Sequence, residues 1–394
     1  MTLQEYKDKM GKLGGAFGLH DYDNCLVNLA NSVLKRFEAP AEGGAEAEVE
    51  AETGTGGKTL AAVDRYLDKG YKNVVVLLLD GLGTRIMERD LREDSFLRSH
   101  FKGSISSVFP PTTVAATTAV MSGLQPIESA WLGWDCYYPQ VDKNVTVFFN
   151  TEQGTDIEVS TENIPWTYYG YEPIVNRLVR GGGNAFNATP FAPPFPKTFP
   201  EICDRIVKLC EGEGEKYIYA YWDQPDTVMH KNGCYSAEAV EVIKDLDKNV
   251  EKLAGKLKDT LLIVTADHGH IDGRNVSITD YPAIMDCLVR MPSVEPRALN
   301  LFVKEEKKAR FEREFNKEFG EDFVLLTKKE VYETKLFGTG KPHKNVDAMI
   351  GDYLAVAITD LTIFNNREEA KHFISVHAGY TREELTIPLI VIEK

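Results

Sequence analysis

No run of 18 apolar residues occurs in the 394-residue chain, so no segment reads as a transmembrane helix. The first residues, MTLQEYKDKMGKLGGAFG, lack the apolar core of a signal peptide, and the chain is expected to be soluble and cytoplasmic. Dense basic runs are missing too. Lys and Arg number 45 against 60 Asp and Glu, a formal net charge of -15. That balance argues against nucleic-acid polymers and anionic membranes as general partners. If the substrate is an anion, its attraction must be local, and metal ions are the simplest source of it. Cysteine is scarce and scattered: Cys25, Cys136, Cys203, Cys210, Cys234 and Cys287 form no close pair. This spacing supports neither a zinc knuckle nor a redox motif, and the six are expected as reduced thiols in or near cores. No repeat of solenoid type is present.

What the chain does have is apolar strands that end on acids. The stretch NVVVLLLDGLG, Asn73 to Gly83, runs through Val and Leu into Asp80 and a Gly-Leu-Gly turn. A continuous apolar run bounded by turn residues reads as a strand covered on both faces, the signature of a parallel sheet in an α/β protein. Ligands in such sheets bind at the carboxyl ends of the strands. Further core strands are expected at 217–222, 261–266, 353–359 and 387–392, with helical stretches between several of them. CLVNLANSVLKRF places Leu26, Leu29, Val33 and Leu34 on one helical face, and residues 1 to about 37 read as helical. Residues 39–57, rich in Glu and Gly, read as a mobile surface loop. The expected organisation is an N-terminal helical segment (1–72) packed on a core formed by 73–271 and 346–394. Residues 272–345 break the βαβ rhythm and read as a compact α+β cap, with strand, charged amphipathic helix and strand in order.

Four more stretches place polar residues at the end or start of an apolar run. In SSVFPPTTVAATTAVMSG, Thr113 falls at or near a helix N-terminus, either as a cap or at a place where unpaired amides and the helix dipole favour an anion. YWDQPDTVMH sets Asp226 and His230 four residues apart, on one helical face and able to share a metal; taken alone it equally fits a surface acid and a partly buried His. LLIVTADHGH ends a strand on Asp267 and His268, a stronger signal because acid, imidazole and glycine rarely cluster there for packing. FISVHAGYTREELTIPLIVI supplies His377. Three Asp, three His and one Thr hydroxyl suit zinc, with manganese second, and seven ligands are too many for one ion and natural for two. Weaker signals come from His270, as a supporting group or an exposed turn residue, and from Asp223, as an orienter of His230 or a helix cap. The aromatic stretches WLGWDCYYP and PWTYYGY read as core or as a pocket wall, and Lys341, His343 and Lys344 as a solvated turn or a phosphate contact.

DGLG, FPPTTVAATTAVMSG, QPDTVMH, ADHGH and HAGYTREELTIPLIV, in that order, resemble the alkaline phosphatase superfamily and, within it, the type I phosphodiesterase / nucleotide pyrophosphatase family. The resemblance implies a three-layer α/β/α sandwich with a mostly parallel central sheet and a smaller α+β cap. It also implies two divalent cations, one held by Asp226, His230 and His377, the other by Asp80, Asp267, His268 and the Thr113 oxygen. Thr113 rather than Thr112 would be the nucleophile, because the family's nucleophile stands ten residues before the Gly of its T/S-G turn, here Gly123. A phospho-threonine intermediate and hydrolysis of a small phosphodiester or pyrophosphate would follow. Monoester or phosphonate hydrolysis, phosphoryl mutation, and silent metal or phosphate binding are the alternatives. One position departs from the pattern: Ala116 stands where members that cleave nucleotide diesters usually carry Asn. A sulfatase is disfavoured, since no C-x-P-x-R or S-x-P-x-R stretch occurs.

Overall fold

The computed structural model describes residues 2, 4–5, 8, 20–40 and 57–394. The acidic loop expected at 39–57 lies almost wholly outside them, as does most of the helix expected before residue 20.

Six strands form the central sheet: β1 (Asn73–Leu79), β2 (Phe101–Ser106), β3 (Asn184–Ala188), β4 (Lys216–Trp222), β5 (Thr260–Thr265) and β6 (Thr386–Glu393). Their spatial order is β2-β6-β5-β1-β4-β3. β1 lies at the centre, parallel to β4 and β5, and β3 is parallel to β4. Only β6 runs against its neighbours, β2 and β5. All seven residues of β1 and all six of β5 are buried, so both alternating sets of side chains meet protein and helices cover both faces. This is the mostly parallel three-layer α/β/α sandwich expected from the sequence. Helices α1 (Leu26–Arg36), α2 (Thr113–Ser122), α3 (Phe199–Glu211), α4 (Asp226–Asn232) and α5 (Ala237–Lys256) contribute to its core. α1 presents Leu26, Leu29 and Val33, fully buried, as its apolar spacing requires, while Leu34 is half-buried at the margin. All six cysteines are free and buried. Among the described residues, no helix is long and apolar enough to cross a membrane.

A second, seven-stranded sheet is antiparallel throughout. In spatial order its strands are Phe323–Thr327, Tyr353–Ala357, Ala298–Leu301, Ser293–Glu295, Asp135–Tyr138, Lys143–Thr146 and Thr151–Glu152. The strand-helix-strand order expected in 298–327 is present, and its helix, Lys308–Phe319, buries Phe311, Phe315 and Phe319 at a spacing of four. Two expectations need correction. Tyr353–Ala357 is not a strand of the central sheet; it pairs with Ala298–Leu301 and Phe323–Thr327. The second sheet also draws three strands from 135–152, so it extends beyond the segment 272–345. Periodicity could not tell these cases apart, because five consecutive buried apolar residues look alike in either sheet.

Candidate active site

The turns after β1, β4 and β5 meet at the carboxyl edge of the central sheet, because those strands are immediate neighbours. Asp80 continues the β1 ladder, its N–H donating to Trp222 O at 2.9 Å, and its own carbonyl accepts from Asp226 N at 3.0 Å. The Asp267 carboxylate accepts from Gly81 N and His268 N, both at 3.0 Å. Gly81 has φ +75°, and a Cβ there would lie 3.0 Å from Asp226 Cα; at Gly269 a Cβ would lie 2.0 Å from Glu383 O. Only glycine lets these turns approach so closely. His377 joins them because Ser375–Val376 pairs with Ile271–Asp272, directly after the Asp-His-Gly-His turn.

The side chains form one continuous group. His268 Nε2 lies 3.3 Å from Asp80 Oδ1, 3.5 Å from Asp267 Oδ2 and 4.0 Å from Asp226 Oδ1. Its ring stacks on His377 at 3.7 Å between centroids. His230 Nε2 is 3.3 Å from Asp226 Oδ1, and His377 Nε2 is 3.9 Å from the same oxygen. Thr113 opens α2, with Oγ1 at 3.4 Å from both Asp80 Oδ2 and His268 Nε2. Thr112 turns the other way, donating to Glu295 Oε1 at 2.6 Å. All seven residues expected at the site are therefore brought together: the Thr113 hydroxyl faces Asp80 and His268, and the Thr112 hydroxyl faces Glu295.

Donor atoms fall into two sets, each within 4.8 Å: Asp80, Asp267 and His268, and Asp226, His268, His270 and His377. Asp80 Oδ1 and Asp267 Oδ2 are buried with no hydrogen-bond partner, and among the described residues neither carboxylate is paired with Lys or Arg. Buried unpaired carboxylates are costly, and this carboxylate-imidazole donor set fits divalent cations such as zinc or manganese. The titration behaviour agrees. Burial, then the nearby Asp267 and Asp226, push Asp80 well above the ordinary carboxylate range. Burial would also raise Asp226, but His230 and His270 outweigh it and hold that group well below. Burial, followed by the rings of His268, His270 and His230, lowers His377 well below the usual imidazole value.

Several residues sit differently from the sequence reading, or were not found by it. His270 is no exposed turn residue: it is buried, with Nε2 at 2.6 Å from Asp226 Oδ1 and Nδ1 at 3.0 Å from Ser375 Oγ. Asp223 neither caps α4 nor orients His230; Pro225 stands at the cap, and His230 Nδ1 meets Ser375 O at 2.8 Å. Tyr221, on the last turn-facing position of β4, donates to Asp80 Oδ2. Its phase with Tyr217 and Tyr219 along the strand was a visible but unspecific signal. The aromatic stretches divide: Trp131 is core, with Nε1 donating to Tyr169 O at 2.7 Å, whereas Trp134 is 40% exposed.

In front of Thr113 opens a cavity of about 980 Å³, lined by Asp226, His230 and His377 and also by Trp134, Phe149 and Glu295. Lys341, His343 and Lys344 do not line it. Burial pushes the Glu295 carboxyl up to about 7, against the hydrogen bonds from Thr112 and from Trp134 N.

Comparison with known proteins agrees with this geometry. The model of the family described as type I phosphodiesterase / nucleotide pyrophosphatase matches residues 134–381, more than half of the chain. The match includes Asp226, His230, Asp267, His268 and His377, and stops short of Asp80 and Thr113. No curated protein matches the chain. Among solved structures, murine ectonucleotide pyrophosphatase / phosphodiesterase 5 is similar at 18% identity and a TM-score of 0.62, covering 80% of this chain and 87% of that one. An inactive threonine-to-alanine form of the same murine protein, in complex with AMP, gives 0.61 at the same identity and coverage. The human counterpart gives 0.60 at 17% identity, covering 81% and 87%. At such identities these likenesses speak for the fold, while the family model speaks for the lineage. The chain belongs to the type I phosphodiesterase / nucleotide pyrophosphatase family and is a hydrolase of phosphoric ester bonds.

Proposed function

We propose that the chain is a two-cation phosphodiesterase with Thr113 as its nucleophile. Asp226, His230 and His377 would hold one ion, with His270 beside Asp226 as a supporting group. Asp80, Asp267, His268 and Thr113 Oγ1 would hold the other. Zinc is the first choice and manganese the second. When bound, such ions act as Lewis acids that lower the pKa of a hydroxyl and stabilise charge on a leaving oxygen.

The observation that carries the reading is the placement of Thr113. Its Oγ1 shares the Asp80 and His268 donors, at the head of a helix that no side chain caps. The unbonded amides of the first turn of α2 are then free to donate to phosphoryl oxygens, where the helix dipole favours negative charge. Thr113 Oγ attacks phosphorus, the bond to the departing alcohol breaks, and water later releases the phosphoryl group from Thr113. Buried and glycine-packed turns hold these groups in place more accurately than an open loop would. In the murine neighbour a threonine-to-alanine form is described as inactive and binds AMP, which supports a threonine nucleophile and a small phosphate ester here.

A diester is favoured over a monoester because no Lys or Arg lies in FPPTTVAATTAVMSG to meet a second phosphoryl charge. The test is a panel assayed with zinc and with manganese. Bis-p-nitrophenyl phosphate should exceed p-nitrophenyl phosphate in kcat/KM. A tenfold preference for the monoester, about 1.4 kcal/mol of transition-state binding, would overturn the diesterase reading.

A further inference from the structure

Among the described residues four histidines surround Asp226 Oδ1: His230, His268, His270 and His377, with Nε2 atoms 3.3, 4.0, 2.6 and 3.9 Å from it. Proximity alone would make all four of them ligands, and His270 falls in one donor set with Asp226, His268 and His377. Their protons divide them.

His230 Nδ1 meets Ser375 O at 2.8 Å, His268 Nδ1 meets Gly269 O at 3.1 Å, and His377 Nδ1 meets Pro111 O at 3.0 Å. A carbonyl oxygen only accepts, so each of these Nδ1 atoms carries a proton, and each neutral ring keeps a bare Nε2 lone pair for a cation. His270 is arranged the other way. Its Nε2 stands 2.6 Å from the Asp226 carboxylate, an acceptor, and its Nδ1 stands 3.0 Å from Ser375 Oγ, which can donate. The neutral His270 ring therefore holds its proton on Nε2 and has no lone pair there.

The spacing agrees. Two atoms bound to one tetrahedral zinc, each about 2.0–2.1 Å from it, stand about 3.3 Å apart. His230 Nε2 to Asp226 Oδ1 and His268 Nε2 to Asp80 Oδ1 are both 3.3 Å, whereas the 2.6 Å of His270 is a hydrogen-bond length. The His270 ring has little room to turn, because it lies edge-on to His230 and His377 at 4.7 and 5.0 Å between centroids, and a Cβ on Gly81 would come within 3.0 Å of its Cδ2. Ser375 is fully buried and serves both kinds of ring, His230 through its carbonyl and His270 through its hydroxyl.

We propose that His270 and Ser375 are positioning residues for the cation at Asp226: the Ser375 hydroxyl fixes the His270 tautomer, and His270 Nε2–H holds the Asp226 carboxylate in its ligating orientation without itself binding metal. The proposal rests on the two-cation reading and assigns within it which imidazoles ligate and which one supports.

The test uses the full chain with isotopically labelled histidine, followed by nitrogen NMR first without metal and then with zinc. We expect the ring signal that His270→Gln removes to belong to an Nε2–H tautomer, and those of His230, His268 and His377 to be Nδ1–H. Zinc should move the Nε2 signals of those three rings and leave His270 protonated. In Ser375→Ala the His270 ring should lose its single tautomer, whereas His230, bonded to the backbone carbonyl, keeps its own. Zinc affinity by chelator competition is the second readout. His270→Ala should weaken it about tenfold or more. His270→Gln, whose amide can donate to Asp226 but is a poor zinc ligand, should stay within about threefold of the unaltered chain. Thermal melts confirm that each variant is folded, and the tautomers of the unaltered chain need no variant to fold. An Nδ1–H ring at His270, loss of its Nε2 proton to zinc, an alanine variant that binds as tightly as the unaltered chain, or a glutamine variant as weak as the alanine one overturns this proposal and leaves the two-cation reading standing. No zinc uptake by the unaltered chain overturns the two-cation reading, and this proposal with it.

Discussion

The edge of the central sheet and the wall built by the antiparallel sheet face the same cavity, yet they are made in opposite ways. At the edge, each polar group follows a buried strand or opens a helix within a few residues of a glycine or proline turn. The chemistry is written locally, as DGLG, QPDTVMH and ADHGH. In the wall, Trp134 and Glu295 are 161 residues apart in sequence and meet through one hydrogen bond, across strands that pair only at Val294 and Asp135. The groups proposed to carry the reaction are local in sequence, whereas the cavity wall facing them is assembled from distant pieces.

The sharpest way to break the comparison is Thr113→Ala against Thr112→Ala. Thr113→Ala should lower kcat on the best diester by about a thousandfold or more, because it removes the attacking oxygen. It should still retain the ion held by Asp226, His230 and His377. Thr112→Ala, which touches only the wall through Glu295, should keep measurable turnover. Equal losses would mean that edge and wall do not divide the work in this way.

Next in size is the joint between the two regions. Arg297, beside the antiparallel strand Ser293–Glu295, makes a bidentate pair with Glu384, just before β6, at 2.7 and 2.9 Å; both side chains are fully buried. Arg297→Met would leave Glu384 charged and unpaired, a loss of about 3–5 kcal/mol in unfolding free energy. Urea titration measures it, and a change below about 1 kcal/mol would show that the regions do not depend on this pair.

Tyr221 sharpens the comparison on the edge side alone. Tyr221→Phe removes the hydroxyl that donates to Asp80 and nothing from the wall. Metal affinity should fall about 10- to 100-fold, as for other groups that orient a ligand, while the kcat/KM ratio between diester and monoester stays as it was. A shifted ratio with unchanged affinity would contradict that division.

The same contrast explains what could be read in advance. Asp80, Asp267 and His268 were legible because a buried strand ending on charged residues has few structural excuses, and because Gly81 and Gly269 mark where turns pass close together. The place of Thr113 at the head of α2 was legible in the small-residue run after Pro110 and Pro111, whereas its role as nucleophile is what the resemblance implies, counted back from Gly123, which ends α2 in the left-handed conformation at φ 79°. His270 was not: nothing local distinguishes a turn histidine at the surface from one buried against Asp226, 44 residues away. Glu295 lies on a three-residue strand, too short to show a period, and the strands of 135–152 have at most four residues each. Tyr353–Ala357 was assigned to the central sheet because its five buried residues carry no mark of the sheet they join.

The account depends most on the claim that this buried group of carboxylates and imidazoles exists to hold cations. Elemental analysis of the purified protein, after dialysis and again after exposure to zinc or manganese, tests it directly. The account predicts two divalent ions per chain, with thermal stability falling when a chelator removes them, since binding favours only the assembled state. A chain that retains no ion, and takes up none when zinc and manganese are restored, would contradict it.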